Sequence, residues 1–315
     1  MSSLVNIKKI VVEQPLLDVG CTLGEGPIYD PKTSTLHFVD IVEKKVFHYN
    51  IGTETREFTV DSFPESITSL ALRRNKQGLA CTTAQGFALL DSQSRIQYLS
   101  KPLSPNEVAH CRFNDGGCDR LGRYFAGTVQ SEDPPIPGKL WRFDPTDGSC
   151  VVMDEGPFTD SNGLGLSPDD KTFYFTDSLV NIIYAYDYDD TSGKLSNRRV
   201  LVDANALGLT PNSFCDGLCI DTEGGIWSAR WGGSCVIRFT NAGAVDVKIE
   251  FPKVLRVTAC CFGGPNMDQL YVTTAHCGCL GGDASKQNEF PDSGNVFVVD
   301  LSGQYRGLAR YEFAG

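Results

Sequence analysis

The sequence has few positive charges, and it contains no block of five or more consecutive Lys or Arg residues. Its 28 Lys and Arg residues are outnumbered by 39 Asp and Glu residues, which gives a formal charge of −11 over 315 residues. Nucleic acids and anionic membrane surfaces attract basic patches, so an acidic chain of this kind is a poor candidate for binding either. We therefore expect neutral molecules or cations as ligands, and neither a nucleic-acid nor a membrane partner.

Long apolar runs and metal-binding cysteine patterns are also missing. No apolar run approaches the ~18 residues of a membrane span, and the apolar stretch from Ile10 to Val12 is too short for a signal peptide. The twelve cysteines include no Cys-x-x-Cys pair, and the four histidines, His37, His48, His110 and His276, are scattered, so a zinc site is not expected. Most cysteines lie within apolar runs, which predicts reduced, buried thiols and a cytoplasmic location.

What the sequence does contain is a pair of β-strands that recurs six times at intervals of 43 to 53 residues. The first strands of the pairs begin near Leu36, Leu79, Tyr124, Phe173, Ile226 and Leu270. The second strands end at Asn50, Asp91, Asp144, Asp187, Thr240 and Asp300. A unit of this length with about four strands is typical of a propeller blade.

These repeats predict an all-β fold, a six-bladed β-propeller. Because the six units account for almost the whole chain, residues 1–315 are expected to form one domain with a closed ring. The apolar ends, residues 4–12 and 308–313, are expected to pair with each other and so remove the free sheet edges.

Four of the units carry an acid or an amide at the same place, ten or eleven residues before the first strand of the pair. These residues are Glu25, Asn114, Asn162 and Asp216. Asn-Gly and Asp-Gly are ordinary turn dipeptides, and at any single position that explanation would be sufficient. Equivalent positions of a propeller lie around one axis, however, so four in phase are expected to converge on the central channel. An all-oxygen set of this kind suits a hard cation such as Ca²⁺ or Mg²⁺.

Several motifs of the chain, taken together, are highly specific. They are Gly24-Glu25-Gly26-Pro27, Arg112-Phe113-Asn114-Asp115-Gly116, Gly122-Arg123-Tyr124-Phe125-Ala126-Gly127-Thr128, Ser161-Asn162-Gly163-Leu164, Asp216-Gly217-Leu218-Cys219-Ile220-Asp221 and Cys260-Cys261-Phe262-Gly263-Gly264. Over essentially its full length the chain resembles the senescence-marker-protein and gluconolactonase family of six-bladed propellers, also called regucalcin-like.

The resemblance implies a set of site residues. Glu25, Asn162 and Asp216 would bind one divalent metal ion, Ca²⁺ first, with Mg²⁺, Mn²⁺, Zn²⁺ and Fe²⁺ as alternatives. Arg112 and Asn114 would contact sugar hydroxyls, and Glu132 lies at the spacing of a third contact. Two features are particular to this chain: Cys215 replaces the proline that the family has before its metal-binding aspartate, and the long polar segment 278–293 is expected to shape the rim of the pocket.

The function that follows is metal-dependent hydrolysis of sugar lactones to aldonic acids, with Asp216 serving also as the general base for the attacking water. The sequence has no Gly-x-Ser-x-Gly elbow and no P-loop, so neither a serine hydrolase nor a nucleotide-binding protein is indicated. Three alternatives stay open on the same fold: a phosphotriester or organophosphate hydrolase, a non-catalytic calcium-binding regulator, and a scaffold for protein partners. No obligate protein partner is implied.

Overall fold

In the computed structural model, which describes residues 7–53, 55–91, 93–209 and 211–315, nearly all regular structure is β-strand. Strand β1 (Lys8–Val11) precedes the first blade. Blade 1 consists of β2 (Gly24–Asp30), β3 (Thr35–Asp40), β4 (Lys45–Asn50) and β5 (Phe58–Ser62). Blade 2 consists of β6 (Ile67–Leu72), β7 (Leu79–Thr83), β8 (Phe87–Leu90) and β9 (Ile96–Ser100). Blade 3 consists of β10 (Phe113–Cys118), β11 (Tyr124–Thr128), β12 (Gly138–Phe143) and β13 (Cys150–Phe158).

Blades 4 to 6 complete the chain. Blade 4 consists of β14 (Ser161–Leu166), β15 (Thr172–Asp177), β16 (Ile182–Asp189) and β17 (Lys194–Asp203). Blade 5 consists of β18 (Phe214–Ile220), β19 (Ile226–Trp231), β20 (Cys235–Phe239) and β21 (Val245–Glu250). Blade 6 consists of β22 (Arg256–Gly263), β23 (Gln269–Ala275) and β24 (Phe297–Asp300). Among the residues that the structure describes, the helical segments are one α-helix, α1 (Pro105–His110), and two 3₁₀ turns, at Cys279–Gly281 and Ala284–Asn288. No helix of the described ranges is long and apolar enough to cross a membrane.

Each blade is an antiparallel sheet in which consecutive strands are neighbours. Strand β15 shows why the core lies between blades: both its faces are buried, at Phe173 and Phe175 on one side and Tyr174 on the other. Its blade is covered by a neighbouring blade on either side, so the usual alternation of buried and exposed residues is lost there. The outermost strand of the same blade, β17, is largely exposed.

The six innermost strands close a ring. Strand β2 contacts both β6 and β22, and the contacts continue through β10, β14 and β18 back to β22. The predicted propeller is therefore confirmed, and the predicted strand ends lie within two residues of the observed ones. The repeat marks the second and third strands of every blade, as in β11 and β12, and the innermost strands precede them.

The predicted pairing of the two chain ends is wrong. Within the described residues, β1 pairs in parallel with β21 and adds a fifth strand to blade 5. The outer edge of β21 would otherwise be free, and pairing with β1 satisfies backbone groups of both strands. Residues 4–6 of the predicted segment lie outside the described residues.

The C-terminal segment 307–313 runs across the far ends of the innermost strands instead. It bridges three blades, through the pairs Arg73 with Phe313, Cys118 with Tyr311, and Asp221 with Gly307. The ring of Phe313 is fully buried against Tyr124 and Phe143. The segment therefore covers one end of the central channel, while the predicted site lies at the other end.

The cysteines and histidines complete the comparison with the sequence. All twelve cysteines are free, and nine of them are buried, as predicted. The histidines are less scattered than expected, because His37 and His48 are cross-strand neighbours whose Nδ1 atoms are 2.6 Å apart. Burial, together with the neighbouring His48 ring, lowers the pKa of His37 to about 4, so His37 is neutral at physiological pH.

Candidate functional site

A cavity of about 230 Å³ opens at the end of the channel where the innermost strands begin. The four in-phase residues all line it: Glu25, Asn114, Asn162 and Asp216. Each lies at the second or third residue of its innermost strand and is buried, with 4 to 7% of its surface exposed. The predicted convergence on the channel is confirmed, and these four side chains form the floor of the pocket.

A second tier of side chains stands two residues before the floor residues. It consists of Leu23, Arg112, Asp160, Phe214 and, at the start of β22, Arg256. Residues two apart on a strand share a face, so each blade that reaches the pocket can present one residue to the floor and one to the wall. Counting back two positions from each in-phase residue would have found Asp160 and Phe214, which the sequence analysis missed.

Arg112 and Asn114 form one hydrogen-bonded unit. Nη1 of Arg112 donates to Oδ1 of Asn114 at 2.6 Å and to the carbonyl oxygen of Phe113 at 3.1 Å. The amide nitrogen of Asn114 in turn donates to the carbonyl oxygen of Ser161 at 2.9 Å, in the next blade. The amide is thus fully engaged in holding Arg112 and in joining two blades. The remaining N–H groups of Arg112 make no hydrogen bond to another described residue and are free for a ligand.

The orientation of the Asn162 amide follows from its neighbours. The hydroxyl of Ser178 donates its single proton to the carbonyl oxygen of Cys215 at 2.6 Å. It must therefore accept the bond from Nδ2 of Asn162, at 2.9 Å. This fixes the NH₂ group toward Ser178 and leaves Oδ1 of Asn162 toward the pocket, near Nδ2 of Asn114 at 3.3 Å. An amide oxygen held this way is a suitable ligand for a hard cation.

The carboxylates of the site repel one another. Burial, then the neighbouring Asp115, raises the pKa of Glu25 to about 8. Burial, then the charge of Glu25, raises the pKa of Asp216 well above its usual range. Burial also raises the pKa of Asp160 to about 6, against the opposing effect of Arg112. Acidic groups placed so close in a buried site are stabilised in their charged forms by a cation.

The donor set therefore fits a divalent ion, provided that the amide takes part. Nowhere in the described ranges do three or more His, Cys, Asp or Glu side chains gather closely enough to hold a metal. The two carboxylates, Glu25 and Asp216, thus need the oriented oxygen of Asn162 as their third partner. Oxygen-only ligands of this kind suit Ca²⁺ or Mg²⁺.

Comparison with known proteins agrees with this geometry. Residues 23–276 match the family model described as SMP-30/Gluconolactonase/LRE-like region. The chain belongs to this family. Regucalcins of Oryctolagus cuniculus and Homo sapiens are each 33% identical to it over 306 residues, covering 95% of this chain and 97% of theirs.

Solved structures of the family share the fold. A luciferin-regenerating enzyme superposes with a TM-score of 0.84 at 27% identity, covering 94% of this chain and 96% of its own. A calcium-binding protein, regucalcin, from Agrobacterium tumefaciens also reaches 0.84, at 23% identity, covering 98% and 99% of the two chains. The ring of six blades is thus common to this chain and these relatives.

Two predicted features of the pocket have different outcomes. The structure does not bring Glu132 to the cavity, because the residue is exposed on a turn that is closed by the bridge between Ser131 and Ile136. The long segment 278–293 does shape the rim, since Leu280 lines the cavity. Trp231, on β19, lines the cavity as well.

Proposed function

We propose that the protein is a metal-dependent hydrolase that opens sugar lactones to aldonic acids. One divalent ion, Ca²⁺ in the first instance, would be held by Glu25, Asn162 and Asp216. The observation that carries the proposal is the meeting of these three oxygen donors on the floor of one pocket, with the unengaged N–H groups of Arg112 on the wall beside them. Such a pocket can bind a small polar molecule and act on it at the same place.

An ion held by Glu25, Asn162 and Asp216 would supply Lewis acidity toward the lactone carbonyl and toward the attacking water. The protein's own groups perform the remaining tasks. The Asp216 carboxylate accepts the proton of the attacking water as general base. Arg112 donates hydrogen bonds to the hydroxyl groups of the sugar, and Asn114 keeps the guanidinium in position through its bond to Nη1.

The relatives support this function by family membership, and one of them favours an alternative. The regucalcin of Agrobacterium tumefaciens is described as a calcium-binding protein, so a calcium-binding regulator without turnover is the second candidate. We also propose a cytoplasmic location, since all twelve thiols are free, and a small molecule rather than an obligate protein as the partner.

The first test is a substrate panel in a pH-stat. We expect the metal-loaded protein to hydrolyse D-glucono-δ-lactone and other aldonolactones, and to lose this activity when a chelator removes the ion. Paraoxon, a phosphotriester, serves as the competing substrate on the same ion. Faster turnover of paraoxon than of the lactones would indicate a phosphotriesterase instead of a lactonase. Calcium binding without turnover of either substrate would favour the calcium-binding regulator.

The role of Arg112 leads to a second prediction. Arg112→Ala should keep stoichiometric metal but lose catalytic efficiency on hydroxylated lactones, by about 10- to 100-fold for a lost charged hydrogen bond. The loss should be smaller on δ-valerolactone, which has no hydroxyl groups to leave unpaired. Arg199→Ala, at an exposed ion pair with Asp187 in blade 4, is the control. Equal losses on both substrates would place Arg112 in the chemical step itself.

A further inference from the structure

Much of the pocket wall is apolar, although the floor is not, and the Arg256 guanidinium lies among the apolar residues. The apolar wall consists of Leu23, Leu179, Phe214, Trp231 and Leu280. Two of its members are unusually exposed for leucine, with 67% of Leu280 and 51% of Leu179 open to solvent. Scattered surface leucines are ordinary, but these two stand at the mouth of the one pocket that also contains the floor carboxylates.

The aromatic part of this wall is supported from behind. Phe214 and Trp231 face each other as a cross-strand pair of β18 and β19. Trp231 also packs against the buried cluster that contains Leu23 and Cys279. Its ring is covered by the Arg256 guanidinium, 4.4 Å from the ring centre. The aromatic surface is therefore held rigidly at the side of the pocket.

The loop that carries Leu280 is fixed in the same way. Nη1 of Arg256 donates to the carbonyl oxygen of Cys279, the residue before Leu280. Leu280 itself has left-handed backbone angles, φ 47° and ψ 48°, which are uncommon for leucine. A strained backbone of this kind persists where its surroundings hold it, and such positions are frequent at ligand sites. Arg256 thus acts as a positioning residue that joins the loop to the tryptophan.

A bare sugar lactone would use only half of this pocket. Its hydroxyl groups suit Arg112 and the floor, but hydroxyls placed against the apolar wall would lose water without gaining a hydrogen bond. An alkyl or aryl group placed there would instead bury apolar surface on both sides. The two halves of the pocket together match an amphipathic molecule.

We propose that the substrate of this site is a sugar lactone bearing an aryl or alkyl substituent, and that the substituent lies against Leu179, Phe214, Trp231 and Leu280. This proposal rests on the proposed lactonase function. The lactone and its hydroxyl groups would face Glu25, Asp216 and Arg112. The substituent would project from the end of the sugar that is distant from the carbonyl, toward the mouth.

The test compares two stable ligands that differ only in the apolar group. D-glucono-δ-lactam, in which nitrogen replaces the ring oxygen, and its 6-O-benzyl ether are titrated calorimetrically into the protein in calcium chloride. Burial of the benzyl group should make the ether bind roughly tenfold or more tightly. The quantity of interest is the ratio of the two dissociation constants.

Substituted variants then show which residues cause the tighter binding of the benzyl ether. In Leu179→Ser combined with Leu280→Ser the ratio should approach one, whereas Leu280→Met alone, which keeps an apolar side chain, should retain it. Leu121→Ser, at a leucine of 41% exposure outside the pocket, is the matched control and should also retain it. Because these leucines are exposed, their replacement leaves the core intact.

Several results would overturn the proposal: a ratio near one in the unmodified protein, no binding of either lactam, or a ratio that survives the double substitution. Turnover of the two corresponding lactones is measured on the same samples. Turnover with a ratio near one would refute the apolar site and keep the lactonase. A high, leucine-dependent ratio without turnover would refute the lactonase and keep the apolar site.

Discussion

Replacing Asp216 with asparagine is expected to lower lactone turnover by on the order of 10² to 10⁴, even when the site is saturated with metal. Asparagine keeps an oxygen that can touch the ion, but it removes both the charge and the ability to accept a proton. Metal affinity should fall as well, so turnover and bound metal are measured together across a metal titration. The loss that remains at full occupancy reports the proton-transfer role alone.

Glu25→Gln is the matched control for this experiment. Glu25 is the other buried carboxylate of the floor, and its change to an amide is equally isosteric. If Glu25 is a ligand only, excess metal should restore most of the activity of this variant. Should Asp216→Asn recover in the same way, Asp216 is likewise only a ligand, and the base must be bulk water, or Glu25 if Glu25→Gln fails to recover.

The largest effect on stability is expected at Asp221, just beyond the far end of β18. Its side chain is fully buried. Oδ2 accepts hydrogen bonds from Nε1 of Trp227 at 2.9 Å and from Nε of Arg238 at 2.6 Å, and Oδ1 accepts from the backbone N–H of Gly225 at 2.7 Å. Asp221→Ala would leave a buried guanidinium and a buried indole N–H without this partner. Removal of one partner of a buried ion pair costs about 3–5 kcal/mol.

The same arginine provides the control. Asp246 also accepts a hydrogen bond from Arg238, but 35% of its side chain is exposed. Asp246→Ala should therefore cost only about 0–1 kcal/mol, as for other solvent-screened pairs. Urea denaturation of the two variants should show a much lower midpoint for the Asp221 variant at a similar slope. Equal midpoints would mean that burial adds nothing to the pair.

The sequence predicted those parts of the molecule that depend on local pattern and on repetition. Alternation along a strand is a local property, so the strands around Tyr124 and Phe173 could be located within two residues. The repeat then placed Glu25, Asn114, Asn162 and Asp216 around one axis, because the same phase in each blade means the same height in the channel.

Features that depend on distant surfaces could not be predicted. Strand β1 pairs with β21 because that edge is free in the assembled ring, and no local pattern records this. The position of Glu132 depends on how its turn folds. Its distance of four residues from Thr128, the end of β11, does not determine that. Segment 278–293 was expected at the rim, but the placement of Leu280 in particular depends on Arg256 of β22, which binds the carbonyl oxygen of the preceding residue.

The C-terminal segment has a consequence for the order in which the molecule is made. Phe313 receives its backbone partners from Leu72 and Arg74 in blade 2 and its ring contacts from Tyr124 and Phe143 in blade 3. Those blades leave the ribosome long before residue 313 is translated. Until then, Tyr124 and Phe143 lack their contact with the Phe313 ring. Contacts between such distant parts of a chain form late, and nascent chains with exposed apolar surface are prone to aggregate. The blades around Phe313 therefore reach their final packing only when the C-terminal segment lies across the channel.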